Sequence, residues 1–366
     1  VLKSRRGLLA AGISAVVIGT IGVVSTLNAG AEEIPESPSP AVVAVPAEDA
    51  EEAAPESTPP ARLPWGQEPE AIEVGRDGAS SGALKASGFD AAAPTTTGDQ
   101  ADEAYAPKGF STPEGVLESE PTDVVPPAPP GVTKKSAPAA KAVFHYNVAS
   151  QGAVTQGAYA NLTINKPALA EEDYHTLAEL AVQSITDGVS QTVEVGWTVD
   201  RVVNGDADPH LFVFSWVDGK PRCYNGCGFV QYSANVRPGD TLPMDTTKRF
   251  GIEFHDQAWW IAYDSEWIGY FPAKEWTVDF SKTTLVQVFG EVASATAKPC
   301  TDMGNGQFGT KADGAPARIG SISLISGPAV DTYVRSEPEY AEPADEPYKV
   351  DKLSARTFRY GGPGFC

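Results

Sequence analysis

Gln191-Thr192-Val193-Glu194-Val195-Gly196-Trp197-Thr198-Val199 carries an apolar side chain at every odd position from 193 to 199. Successive side chains of a strand point to opposite faces, so these four pack inward and Glu194 points the other way, beside Thr192 and Thr198. The same period of two recurs in Leu285-Val286-Gln287-Val288-Phe289-Gly290-Glu291-Val292. There Val286, Val288 and Val292 share one face, Gln287 and Glu291 share the other, and Phe289 sits between those two polar residues. Outward from these stretches, short alternating or aromatic-rich runs cover 143–148, 159–164, 211–217, 229–232, 250–255, 259–263 and 319–324. Asn204-Gly205, Asp218-Gly219 and Pro238-Gly239 punctuate them as turns. The rhythm predicts an antiparallel all-β sandwich or barrel. Residues 168–185 are ambiguous: Leu177, Leu180 and Ala181 have helical spacing, while Leu180 and Val182 alternate as in a strand.

Composition divides the chain of 366 residues. Residues 32–140 hold 18 of the 31 prolines and 20 acids against 6 bases, with few aromatics. Such a stretch buries too little apolar surface to offset its ordering entropy, so it is expected to be a disordered linker or an acidic pro-segment. Within it, Leu63-Pro64-Trp65 and Gly115-Val116-Leu117 are apolar spots suited to docking on a partner surface. Residues 141–366 carry all four cysteines and six of the seven tryptophans, and form the expected catalytic or binding domain. Their acids outnumber their bases, which excludes a nucleic-acid partner, because phosphate recognition needs a basic face.

Lys3, Arg5 and Arg6 precede an apolar run from Gly7 to Leu27, followed by Ala29-Gly30-Ala31. That is the layout of a cleaved export signal over residues 1–31, with Ser4-Arg5-Arg6 resembling a twin-arginine motif. Secretion is the expectation, with no stable membrane insertion after cleavage. An oxidising destination suits an even number of cysteines. Cys223 and Cys227 are close enough for Asn225-Gly226 to close a small ring, which leaves Cys300 to pair with Cys366 and pin the C-terminus. A zinc site is the rival reading of the cysteines, but neither C-x-x-C spacing nor a histidine pair supports it, so no metal and no cofactor is expected.

Several motifs imitate active sites. Gly78-Ala79-Ser80-Ser81-Gly82 matches the serine-hydrolase elbow but lies in the proline-rich stretch rather than at a strand-to-helix turn. Gly304-Asn305-Gly306-Gln307-Phe308-Gly309 matches a dinucleotide fingerprint with no helix pattern after it. Asn204-Gly205-Asp206-Ala207-Asp208 hints at a calcium loop, yet Pro209 occupies the place of the turn glycine. His145, His175, His210 and His255 assemble neither an H-E-x-x-H site nor a triad, so each reads as structural or solvated.

Glu194 and Glu291 remain. Each stands on the polar face of an otherwise apolar strand, and Gly290 permits a bulge or close substrate approach beside the second. Val193-Glu194-Val195-Gly196-Trp197, Cys223-Tyr224-Asn225, Gly228-Phe229-Val230-Gln231, Trp259-Trp260, Ile268-Gly269-Tyr270-Phe271-Pro272, Gly290-Glu291-Val292, Met303-Gly304-Asn305-Gly306 and Tyr360-Gly361-Gly362-Pro363-Gly364 follow in that order. Through these residues the chain resembles the neprosin-type glutamic peptidases over roughly 158–366. The resemblance implies an antiparallel double-sheet, jelly-roll-like β-sandwich and a pro-segment. It also implies a catalytic pair at Glu194 and Glu291 and cleavage after proline in acid, with protein or peptide substrates. Two carboxyls close together share a proton, so one can activate water as base, a role assigned here to Glu194, while the other donates. Gln231 and Gln287 are candidate oxyanion donors. Trp197 is a candidate wall for a proline ring, although its strand parity favours the core. A noncatalytic sugar- or peptide-binding module and a two-carboxyl glycoside hydrolase are the rival functions.

Overall fold

Alternating strands build two antiparallel sheets. The computed structural model describes residues 57–71, 110–111, 117–118, 143–186, 189–222, 224–337 and 345–366. The export signal, the serine-elbow imitation and Cys223 lie outside these residues. Strands are numbered along the chain, beginning with the small pair β1 (Phe110–Ser111) and β2 (Leu117–Glu118). A seven-stranded sheet contains β3 (Val143–Thr155), β5 (His175–Thr186), β6 (Val189–Val199), β7 (His210–Val217), β8 (Lys220–Pro221), β13 (Thr283–Ser294) and β15 (Tyr333–Glu337). Its spatial order is β15-β3-β13-β5-β6-β7-β8. An eight-stranded sheet contains β4 (Gly157–Ile164), β9 (Val230–Gln231), β10 (Thr246–His255), β11 (Ala258–Tyr263), β12 (Glu266–Pro272), β14 (Ala317–Leu324), β16 (Asp351–Ser354) and β17 (Thr357–Tyr360). Its order is β16-β17-β14-β4-β10-β11-β12-β9.

The fold is thus the expected double-sheet β-sandwich. Val193, Val195, Trp197 and Val199 of β6, Leu180 and Val182 of β5, and Val286, Val288 and Val292 of β13 meet Leu162, Phe250, Ile252, Trp259 and Ile261 of the other sheet. Each such aliphatic side chain is fully buried, which favours the folded state by roughly 1.5–3 kcal/mol apiece. The ambiguous segment resolves as strand β5, hydrogen-bonded on both edges to β13 and β6. Helical spacing lost there because a central strand satisfies every backbone group while keeping Ala178, Leu180 and Val182 in the core. The one α-helix among the described residues is a single turn, α1 (Arg201–Asn204). Cys300 and Cys366 form the expected disulfide. Cys227 is also disulfide-bonded.

Part of the proline-rich stretch departs from the expectation of disorder. Residues 57–71 lie as a strap on the outer face of the eight-stranded sheet. Leu63 is buried there with Trp260, Trp267 and Tyr270, and Trp65 meets Tyr159 edge-on and lies beneath the Arg249 guanidinium. Trp260 Nε1 donates to Ser57 Oγ at 3.0 Å and Trp267 Nε1 donates to the Pro60 carbonyl at 3.0 Å. The Glu70 N–H donates to the Ser265 carbonyl at 2.8 Å. Leu63-Pro64-Trp65 therefore does dock, but onto its own domain. The strap buries an apolar sheet face that the alternation of β11 and β12 would otherwise expose.

Glu253 of β10 stands opposite Trp260 in register. Burial pushes its carboxyl up from 4.5 to about 7. The unfolded chain then ionises this group before the folded chain does, so it costs nothing below pH 4.5 and its full penalty is reached above about 7. Two outcomes are expected. Leu63→Ala lowers the free energy of urea unfolding by about 2–5 kcal/mol, whereas a strap without a packing role would leave the unfolding midpoint in place. Glu253→Gln raises the melting temperature at pH 8 and leaves it nearly unchanged at pH 4, checked by calorimetry at both.

Candidate active site

The face of the seven-stranded sheet turned away from the sandwich core gathers the polar residues. Register fixes who stands beside whom. Glu291 lies opposite Leu177, Phe289 opposite Glu179 and Gln287 opposite Ala181 across β13 and β5. Across β5 and β6, Glu179 lies opposite Gly196 and Ala181 opposite Glu194. Glu179 is therefore the diagonal neighbour of both Glu194 and Glu291, a relation that sets Cα atoms about 7–8 Å apart. The two sequence-predicted glutamates do not face each other across a cleft; they share one sheet face, with β5 between them and Glu179 linking them. Gly196 is required at this point. A Cβ there would stand 2.1 Å from the Ala178 carbonyl oxygen and 2.8 Å from Glu179 Cβ.

All three glutamates are fully buried. Glu194 Oε1 accepts a hydrogen bond from Trp216 Nε1 at 2.7 Å. Glu291 Oε1 is hydrogen-bonded to His175 Nε2 at 2.6 Å, and His175 Nδ1 lies 3.9 Å from Asp200 Oδ2. Aromatic rings enclose the cluster: Phe212, Phe214, Trp216 and Tyr224 on one side, Phe144, Tyr146 and Phe289 on the other. Burial pushes the Tyr146 phenol well above its usual 10, and the negative charges of Glu291, Glu179, Glu194 and Glu337 push it further. One hydroxyl thus senses the whole cluster. In so dry a setting, charges a few ångströms apart interact far more strongly than they do in water.

Of the predicted site residues, Glu194, Glu291 and Gln287 share this face, and Gln287 is buried there. Trp197 is not a substrate wall: it is buried between the sheets and its Nε1 donates to the Thr163 carbonyl at 3.0 Å. Strand parity decided its place. Gln231 sits on β9 at the edge of the other sheet, where its Nε2 donates to the carbonyls of Ser233 and Val236, so it is no oxyanion donor here. Gly290 marks no bulge, because the β13 ladder is unbroken there, and it faces the core, where a Cβ would meet the Tyr360 ring at 2.4 Å. The 204–208 segment is a turn, with Asp206 Oδ1 accepting from the Asp208 N–H and bonded to His210 Nε2. The residues the sequence reading missed are Glu179, His175, Tyr146 and Trp216. Glu179 and His175 fall in the segment whose period was ambiguous, although the alternation of Leu180 and Val182 already put Glu179 on the other face.

A model of the neprosin family matches residues 172–363. The chain belongs to the neprosin family and is, with it, a glutamic peptidase. Among solved structures, SCP-B, a member of the eqolisin family of peptidases in complex with the tripeptide Ala-Ile-His, is 8% identical, with a TM-score of 0.35, covering 60% of this chain and 98% of that one. Scytalido-glutamic peptidase with a transition-state analog inhibitor is 8% identical, with a TM-score of 0.38 and the same coverage of 60% and 98%. CG-16, a homodimeric agglutinin from chicken liver, is 10% identical, with a TM-score of 0.24, covering 40% of this chain and 93% of that one. No curated protein matches the chain.

A third carboxyl beside two others makes each hold its proton more tightly. Glu179 faces Glu194 on β6, Glu291 on β13, Tyr146 on β3, His175 on its own strand and, farther off, the Arg335–Glu337 pair on β15. Glu179→Gln removes one negative charge from this set. The alkaline limb of the peptidase pH profile is then expected to move to lower pH by about one unit, measured as kcat/KM against pH. An unshifted limb would show that Glu179 does not share in the titration.

Proposed function

We propose that the protein is an exported, acid-active endopeptidase that cleaves after proline, with Glu194 and Glu291 activating the attacking water. The observation that carries this reading is the convergence of buried glutamates on one aromatic-lined sheet face. Their hydrogen-bond partners favour a division of labour opposite to the one assigned from sequence. Glu291 Oε1 is bonded to the His175 ring and Glu194 Oε1 accepts from the Trp216 indole N–H; an imidazole can both accept and donate a proton, so it suits a group that takes one from water, whereas an indole N–H only donates. Glu291 is then the base and Glu194 the acid.

The steps balance with no further reagent. The Glu291 carboxylate takes a proton from water as the water oxygen bonds to the scissile carbonyl carbon and the carbonyl electron pair moves onto oxygen. When that pair returns, the C–N bond breaks and Glu194 gives its proton to the departing nitrogen. With a proline before the scissile bond, the ring needs a flat apolar wall. Phe214, the register partner of Glu194, offers one together with Tyr224 and Phe212: the Tyr224 ring centroid lies 5.2 Å from that of Phe214 and 5.7 Å from that of Phe212. This wall takes the place that the sequence reading gave to Trp197. Residues 1–31 supply the export signal in this reading, and the acidic stretch after them serves as a pro-segment.

The test is mass-spectrometric mapping of peptides released from a complex protein mixture at acidic and neutral pH. Wild-type enzyme is expected to cut after proline in acid, and Glu194→Gln and Glu291→Gln are each expected to lower the rate by at least a thousandfold. Cuts made without regard to proline would overturn the specificity, and activity surviving both changes would overturn the glutamate mechanism.

A further inference from the structure

Resting on the glutamate mechanism just proposed, we propose that Tyr146 is a catalytic residue whose hydroxyl donates a hydrogen bond to the oxyanion formed on the scissile carbonyl. The mechanism needs such a donor, because electron density moves onto the carbonyl oxygen before the C–N bond breaks. Tyr146 belongs to β3, upstream of the residues 172–363 that match the family. It stands opposite Glu291 in the β13 ladder. Its side chain is 1% exposed, and its hydroxyl has no hydrogen-bond partner among the described residues. A buried hydroxyl left unsatisfied is costly, and in a native structure it calls for a reason. Here the ring is held in place by Phe289, edge-on at 5.6 Å, and by Phe144, stacked at 6.3 Å.

Comparison with a second tyrosine separates this from ordinary burial. Tyr360 is as deeply buried and its hydroxyl also lacks a partner, but burial alone raises its pKa. Glu179, Glu194 and Glu291 all raise that of Tyr146. The hydroxyl is therefore within electrostatic range of the reacting groups, and it keeps its proton at any pH where the enzyme works. A donor that never ionises can stabilise the oxyanion without taking part in proton exchange: the electron pair arrives on the carbonyl oxygen, Tyr146 O–H bonds to it, and the pair returns as the amine leaves. Gln287 shares the face and is the rival donor, since both of its amide atoms lack a partner among the described residues.

The experiment compares Tyr146→Phe, Tyr360→Phe and Gln287→Leu with wild-type active enzyme, measuring kcat, KM, the pH profile and the melting temperature. Tyr146→Phe is expected to lower kcat by about 100- to 1,000-fold, with KM within about threefold and both pH limbs unmoved, while Tyr360→Phe keeps wild-type kcat. A peptide aldehyde, whose hydrate mimics the tetrahedral intermediate, should lose affinity for Tyr146→Phe in step with kcat/KM, and a substrate-like peptide should not. Wild-type kcat in Tyr146→Phe, or a loss confined to KM, overturns the assignment; so does a full loss in Gln287→Leu alone. The glutamate mechanism is judged apart from this, by Glu194→Gln and Glu291→Gln in the same assay: if these remain active that mechanism fails, whatever Tyr146→Phe does.

Discussion

Burying several carboxyls on one face of one sheet is the constraint around which the molecule is arranged. An isolated buried carboxylate costs several kcal/mol, so such a group survives only if neighbours bind it, protonate it or share its charge. The first of these is visible here. Trp216 donates to Glu194 and His175 is bonded to Glu291, while like charges in close company drive protons onto the cluster. The opposite face of the same sheet is mostly apolar and packed against the second sheet, and that packing supplies the stability from which the cost is met. Period-two alternation lets one set of strands do both.

The alternation also governs how much could be read from the sequence. Glu194 and Gln287 were legible because a valine on either side of each fixes its parity, Glu291 because Val286, Val288 and Val292 alternate onto the other face, and the same rule already favoured the core for Trp197. Glu179 was not, because its segment carries apolar residues at helical and strand spacings together, and a residue with no assigned period has no assigned face. What decided for strand was pairing with β13 and β6, which lies a hundred residues away on one side. Tyr146 was illegible for a related reason: its importance comes from standing across from Glu291, and no local pattern records a ladder partner 145 positions distant in the chain. Gln231 misled because a polar residue next to a motif says nothing about which sheet the motif joins.

Composition failed in a different way. A proline-rich, acidic stretch with few aromatics cannot form a core of its own, and that inference is sound. It does not forbid lending a leucine and a tryptophan to someone else's. Leu63 and Trp65 complete a surface made by β11 and β12, so the order of residues 57–71 is borrowed from the sheet beneath, and that sheet in turn is sheltered by them.

That strap makes the covalent backbone a poor guide to what stays together. Every cysteine lies at position 223 or beyond, so no disulfide can tie residues 57–71 to the rest. A cut anywhere between the strap and β3 would sever the only covalent connection while leaving its indole, guanidinium and backbone contacts in place. The product would be a two-chain molecule, one particle in native buffer and two bands in detergent, whose smaller chain is part of the folded domain although it comes from the stretch that composition would discard.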